Sequence, residues 1–164
     1  MKRSTIVLSL IEVTKSRLPG VAWIDLNRGQ LNTPEAHYPF PKPAILIHLG
    51  EREWEVTGKG VQRVEGAEVK ITLVQDNYSQ TFDGASNQEE AMQAVLDFPE
   101  QVYLALQDVS GEGFSSLNRV SEGETLFDNV IIVDEITFHT TIIDTVKLDA
   151  GSVTLTNVGL QVEK

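Results

Sequence analysis

Residues 61–75 read VQRVEGAEVKITLVQ, and this stretch decides the fold. From Ala67 to Leu73, apolar residues occupy every second position and polar residues fill the positions between them. This period of two predicts a long strand with one buried face. Gly66 interrupts the strand and predicts a bulge there.

A second long strand is predicted over residues 129–143. Asp134 falls on its apolar face, which predicts a bulge or an exposed end near that position. The apolar residues that share this face are Val130, Ile132, Ile136, Phe138 and Ile142.

Shorter strands are predicted around these two. Residues 44–49 (AILIHL) form an unbroken apolar run, typical of a central strand buried on both faces. His48 lies within this run and is therefore interpreted as a packed core residue rather than a ligand. Residues 51–57 alternate and predict a half-exposed strand. The remaining predicted β segments are residues 21–26, residues 114–121 and a C-terminal β extension at 144–164.

Helical periodicity occurs in two places. Residues 5–18 have an apolar face at helical spacing and are followed by a Pro-Gly pair. Ser86 and Glu89 have the spacing of a capping box, which predicts the start of a second helix. Pro99 is expected to break or kink this helix before it ends near Asp108. Its apolar face is predicted to carry Ala91, Met92, Val95 and Leu96.

The order of these elements predicts the fold class. Two helical segments among six to eight strands indicate an α+β fold with a mainly antiparallel sheet. We expect an N-terminal helix and a kinked central helix to pack on that sheet. At 164 residues, the chain is predicted to form a single domain.

Residues 27–43 form a proline-rich arm. Four of the six prolines of the chain lie between positions 34 and 43, so this part of the arm is expected to be extended. A connection of this length is unusual in a compact domain. Because aromatic rings on a stiff segment normally cover a surface, Tyr38 and Phe40 are expected to pack either on this protein or on a partner.

Composition excludes several kinds of chemistry. The chain has no cysteine, so disulfides and thiolate metal sites are ruled out. Neither a serine-nucleophile motif nor a phosphate-binding loop is present, and His37, His48 and His139 lack the close spacing of a zinc site. We therefore expect no catalytic residue, no cofactor and no metal. No apolar run is long enough to predict a membrane span.

The net charge of −11 is unevenly distributed. Residues 1–70 carry 10 basic and 8 acidic side chains, whereas residues 71–146 carry 14 acidic side chains and one basic side chain, Arg119. This pattern disfavours binding to a nucleic-acid backbone. It fits either plain solubility or an acidic face that meets a basic one on a neighbour.

Several short motifs, in this order of elements, resemble a known family. They are Gly29-Gln30-Leu31, Pro43-Ala44-Ile45-Leu46-Ile47, Gly58-Lys59-Gly60-Val61-Gln62, Val74-Gln75-Asp76-Asn77-Tyr78 and Phe114-Ser115-Ser116-Leu117-Asn118-Arg119. The family is that of small neck and tail proteins of tailed bacteriophages and prophages, of the tail-terminator or head–tail joining kind, as carried by gut Bacteroidetes. The resemblance covers residues 5–143.

The resemblance implies a non-enzymatic virion protein. Such proteins form a ring, commonly of six subunits, bind tail-tube or neck proteins, and let DNA pass through the lumen without reading its sequence. It also implies assembly in the bacterial cytoplasm, followed by residence in the virion. The candidate interface residues are Arg28, Tyr38, Pro39, Phe40 and Pro41.

Two other hypotheses stay open. One is a monomeric binding or adaptor domain with no virion role, in which the arm packs on its own core. The other is an enzyme that uses scattered carboxylates with His48 or His139, which a concave pocket gathering those groups would favour.

Overall fold

The computed structural model describes residues 3–32, 40–77, 81–127 and 130–145. Within these ranges, a seven-stranded sheet carries two helices on one face, which confirms the α+β prediction. The elements are α1 (Arg3–Arg17), β1 (Trp23–Leu26), β2 (Ala44–Leu49), β3 (Glu55–Gly58), β4 (Val61–Asp76), α2 (Gln88–Leu106), β5 (Asn118–Glu122), β6 (Leu126–Phe127) and β7 (Ile131–Thr145).

The centre of the sheet is the antiparallel pair of β4 and β7. Their register runs from Val61 opposite Thr145 to Asp76 opposite Ile131. The strand order is β1-β2-β4-β7-β5, while β3 adds to β4 and β6 adds to β7. The register shifts between Val64 and Ala67, where Gly66 has a φ of 63°. The predicted bulge is confirmed, and glycine suits it because other residues rarely adopt a positive φ.

The main core lies between the sheet and the helices. Fully buried Ile6 and Leu10 of α1 and Val102 and Leu106 of α2 pack against the apolar face that β2, β4 and β7 share. Since each fully buried aliphatic side chain contributes roughly 1.5–3 kcal/mol, this layer is the main source of stability.

The pairing of β1 with β2 accounts for the length of the proline-rich arm. These strands run parallel, with Trp23 opposite Ala44 and Leu26 opposite Ile47. A parallel neighbour needs a crossover of about a dozen residues or more, since the chain must return to the end at which it started. Residues 27–43 are that crossover.

A second, smaller core lies on the other face of the sheet. Phe40, at the end of the arm, is only 8% exposed and packs with Leu46, Val74 and Ile131. The neighbouring Lys42 forms an ion pair with Asp76, with Nζ 3.2 Å from Oδ1. The end of the arm is therefore fastened to the sheet of its own chain.

Several local predictions were wrong. The strand predicted over residues 51–57 begins only at Glu55, because β2 and β3 share one edge of β4 and residues 50–54 connect them past the bulge. Asp134 neither bulges nor ends the strand: it is 7% exposed and lies opposite Leu73 in unbroken register. Asn118–Glu122 replaces the predicted strand over 114–121.

The second helix also differs from its prediction. Asn87 rather than Ser86 precedes it, with no side-chain capping bond, and the helix runs continuously through Pro99. Met92 and Leu96 are exposed, because the buried face follows Val95, Phe98 and Val102, which lie at helical spacing. Of the predicted C-terminal extension, only Asp144 and Thr145 lie within the described residues, at the end of β7.

Gln75 of β4 explains how α2 continues through a proline. Pro99 has no N–H to donate to the carbonyl of Val95 four residues earlier. Gln75 Nε2 donates to that oxygen instead, at 3.1 Å. A side chain of the central strand thus supplies the hydrogen bond that the helix lacks.

We predict that Gln75→Met lowers the free energy of unfolding by about 1–3 kcal/mol, because the Val95 carbonyl loses its partner. In a Pro99→Ala background the loss should be smaller, since the Ala N–H restores the helical bond. Urea denaturation of the four proteins measures this coupling. Gln93→Met, at an exposed position of α2, is the matched control. Equal losses in both backgrounds would contradict the compensation.

Candidate functional site

An apolar groove with basic residues at its rim lies at the β1 edge of the sheet. It is bounded by α1 on one side and by β1 and β2 on the other, and encloses about 560 Å³. Leu8 is 62% exposed there, and Leu26 is also exposed. We call this region the basic groove; its lining includes Val7, Leu8, Ile11, Leu26, Arg3 and Arg28.

One arginine near this groove, Arg52, forms no ion pair with another described residue. The Nε and Nη2 atoms of Arg52 are buried and have no hydrogen-bond partner within the described residues. This burial, together with the positive charge of Arg3, lowers the pKa of Arg52 below its usual value. Arg28, in contrast, pairs with Asp25 at 2.6 Å. Arg3 and Arg52 are therefore close enough to repel each other, and they add positive charge beside the groove.

An acidic surface lies on the solvent side of α2. The helix contains no lysine or arginine. Two leucines of this helix, Leu96 and Leu104, are exposed near its acidic side chains, and Leu104 is 64% exposed. We define the acidic surface as Met92, Leu96 and Leu104 with Glu89, Asp97 and Glu100. Over residues 81–127 the chain has nine acidic residues and one basic residue, so the net charge is −8.

Arg119 is that one basic residue, and it holds β5 against α2. Its guanidinium carbon lies 3.5 Å from the centre of the Tyr103 ring. It also forms an ion pair with Glu100 at 3.8 Å and another with Glu122. Arg119 is thus engaged within its own chain, and the acidic surface keeps most of its negative charge.

The face of the sheet opposite the helices carries a shallow polar groove of about 440 Å³. It gathers His48, Glu68, Lys70 and Glu135. Lys70 Nζ lies 3.5 Å from Glu135 Oε1 and 3.9 Å from Glu68 Oε1, so its charge is balanced locally. The prediction that His48 is a packed core residue was wrong, because the second core ends at Leu46 and leaves this part of the face uncovered.

His139 lies on the same face, opposite Glu68 in the β4–β7 register, and is half-buried. It does not line the polar groove. Among the described residues, no three His, Asp or Glu side chains are arranged to hold a metal ion.

The candidate interface residues do not come together in the described structure. Arg28 lines the basic groove, Phe40 is buried in the second core and Pro41 is exposed beside it. Tyr38 and Pro39 lie outside the described residues. The role of the candidate interface residues stays a prediction. Sequence analysis did not single out Leu8, Leu26 or Leu104, although the charge difference between the two parts of the chain already indicated two unlike surfaces.

Similarity to known proteins comes from solved structures rather than from sequence. No family model matches the chain, and no curated protein matches it. Among solved structures, the chain is similar to one from the virion of a native gene transfer agent (GTA) particle, with a TM-score of 0.44 and 14% sequence identity. The match covers 85% of this chain and 96% of that chain. Within the described ranges, the helices are too short or too polar to cross a bilayer.

We predict that Arg119→Gln lowers the free energy of unfolding by about 1 kcal/mol, since the cation no longer stacks on Tyr103. Arg119→Lys should recover only part of this loss, because an ammonium group lacks the planar stacking face. Urea denaturation measures both. Lys59→Gln makes the same change in net charge at an exposed turn and is the control. A loss as large in Lys59→Gln would mean that overall charge, not stacking, is responsible.

Proposed function

We propose that this chain is a non-enzymatic structural protein of a phage or prophage particle that assembles head-to-tail into a ring. The observation that carries the proposal is the placement of unlike surfaces on different parts of one subunit. The basic groove lies at the β1 edge of the sheet, and the acidic surface lies on the solvent side of α2, which packs over β4 and β7. The motifs that resemble tail-terminator and head–tail joining proteins support the same assignment.

The two surfaces match in chemistry. Each combines exposed leucines with charged residues, and the signs of the charges are opposite: Leu8 lies near Arg3 in the groove, whereas Leu104 lies near Glu100 on the helix. Leucines at the centre of such a contact would supply the apolar burial, and the charges would fix its register.

Their separation on the subunit determines the type of assembly. A contact between two different patches is heterologous, so each subunit added exposes the same free patch again. Such a contact closes into a ring when the rotation between neighbours divides a full turn, and six subunits is the size that the family resemblance implies. The acidic character of the chain would also let DNA pass through a lumen without sticking, since few phosphates would be neutralised.

A monomeric binding domain is the second candidate function. It is favoured by the burial of Phe40 in the second core of its own chain, because this aromatic residue is not available to reach a neighbour. In that case, the basic groove would serve a different protein rather than a second copy.

Mixing two single-surface variants tests the head-to-tail contact. Leu8→Glu should abolish the function of the basic groove, and Leu104→Lys that of the acidic surface. Each variant alone should lose at least about tenfold in self-association, as expected for an interface residue worth more than 1.4 kcal/mol. An equimolar mixture should form a dimer of 36.2 kDa, twice the 18.1 kDa chain, and grow no further because only one intact contact remains.

Light scattering over a range of concentrations measures these masses. Val56→Glu introduces the same charge at an exposed position of β3, outside both surfaces, and should assemble like the wild type. Assembly of Leu8→Glu or Leu104→Lys at wild-type strength would overturn the proposed contact. A wild-type chain that remains monomeric at every concentration would favour the monomeric binding domain.

A further inference from the structure

A small cavity lies beneath the first half of α2. It encloses about 190 Å³ between α2, β7 and the segment that follows β5. At roughly 30 Å³ per molecule in the liquid, this volume corresponds to about six waters, which is room for a short alkyl chain. The lining combines an apolar wall with polar and acidic residues. The apolar wall consists of Val95, Leu96, Pro99 and Ile136, and the buried acidic residue of the lining is Asp134.

Asp134 is the unusual member of this lining. It is 7% exposed, and Thr125 Oγ1 donates a hydrogen bond to its Oδ1. Its Oδ2 is buried and has no hydrogen-bond partner within the described residues. A buried carboxylate is costly unless its oxygens are paired, so one oxygen of this group lacks the hydrogen-bond donor that its burial requires.

We propose that this cavity binds a primary alkylammonium group, with the ammonium at Asp134 and the methylenes along the apolar wall. A chain of methylenes ending in a cation is the shape that a wall of this kind accommodates. Glu122 and Glu135 also line the cavity, but their carboxylates form ion pairs with Arg119 and Lys70, so the negative charge left for a cation is that of Asp134.

Two other cations fit less well. A guanidinium group binds best with two parallel hydrogen bonds to one carboxylate, but one oxygen of Asp134 already accepts from Thr125. A bare divalent metal ion prefers several oxygen ligands, and the described residues contain no group of three His, Asp or Glu side chains arranged to hold one.

Titration of the folded protein with n-butylammonium tests the proposal. We expect saturable changes in the backbone amide NMR signals of Thr125 and Ile136, which line the cavity. Asp134→Asn keeps the shape of the side chain, removes its charge, and should weaken binding at least tenfold. Asp83→Asn, at an exposed position outside the cavity and outside both proposed surfaces, should leave binding unchanged. The neutral analogue n-butanol should bind at least tenfold more weakly than n-butylammonium.

If Asp134→Asn fails to fold, a second variant still tests the proposal. Leu96→Trp places a large ring at a mostly exposed wall position, keeps Asp134, and should block entry. The proposal is overturned if n-butylammonium gives no saturable change, if n-butanol binds equally well, or if every folded variant binds as the wild type does.

The ammonium group has two possible sources, a free amine and a lysine side chain of a second copy. If a second copy supplies it, Asp134→Asn should weaken self-association without added amine, and n-butylammonium should compete with assembly. If the ligand is a free amine, self-association should be unchanged while n-butylammonium still binds. The titration measures the binding of n-butylammonium to a single protein chain. Its result is therefore independent of the mixing experiment with Leu8→Glu and Leu104→Lys.

Discussion

The pairing of β4 with β7 is the constraint on which the rest of the structure depends. These are the two longest strands, and each also pairs with two shorter strands. β2 and β3 pair with β4, and β5 and β6 pair with β7. The pair also joins distant parts of the chain, since Ile71 lies opposite Ile136, 65 residues later. Contacts this far apart are slow to form, so we expect the sheet to be completed late in folding.

This central pair also converts a difference along the sequence into a difference across the molecule. Segments before β4 extend the sheet toward β1, whereas segments after β4 place α2 and β5 on the other side. The N-terminal part carries the arginines of the basic groove, and the following part is strongly acidic. A charge imbalance that appears in the sequence as two halves therefore becomes two differently charged surfaces of the subunit.

The strands could be predicted from the sequence where a single pattern of apolar residues dominated. The apolar alternation in β4, the bulge at Gly66 and the apolar run of β2 were predictable because each depends on residues next to one another. His48 and Asp134 were misjudged for the opposite reason. Whether a polar residue on an apolar strand is buried depends on what covers that face, and here the second core stops before His48 while α2 covers Asp134.

The candidate surfaces were harder to predict than the strands. Leu96 has a place in the apolar pattern of α2, yet it is exposed because Phe98 and Val102 define the buried face. The basic groove combines residues from α1, β1 and β2, whose proximity follows from the parallel pairing of β1 with β2. No short window of sequence contains that information, although the length of the crossover at residues 27–43 was a sign of it.

The hydrogen bond from Gln75 to the Val95 carbonyl also has an evolutionary consequence. It matters only while position 99 is a proline, because any other residue would supply the missing N–H itself. Selection at positions 75 and 99, which are 24 residues apart, is therefore not independent. In diverging descendants of this chain, a helix that has lost its proline would free the glutamine to vary, and the two positions should covary.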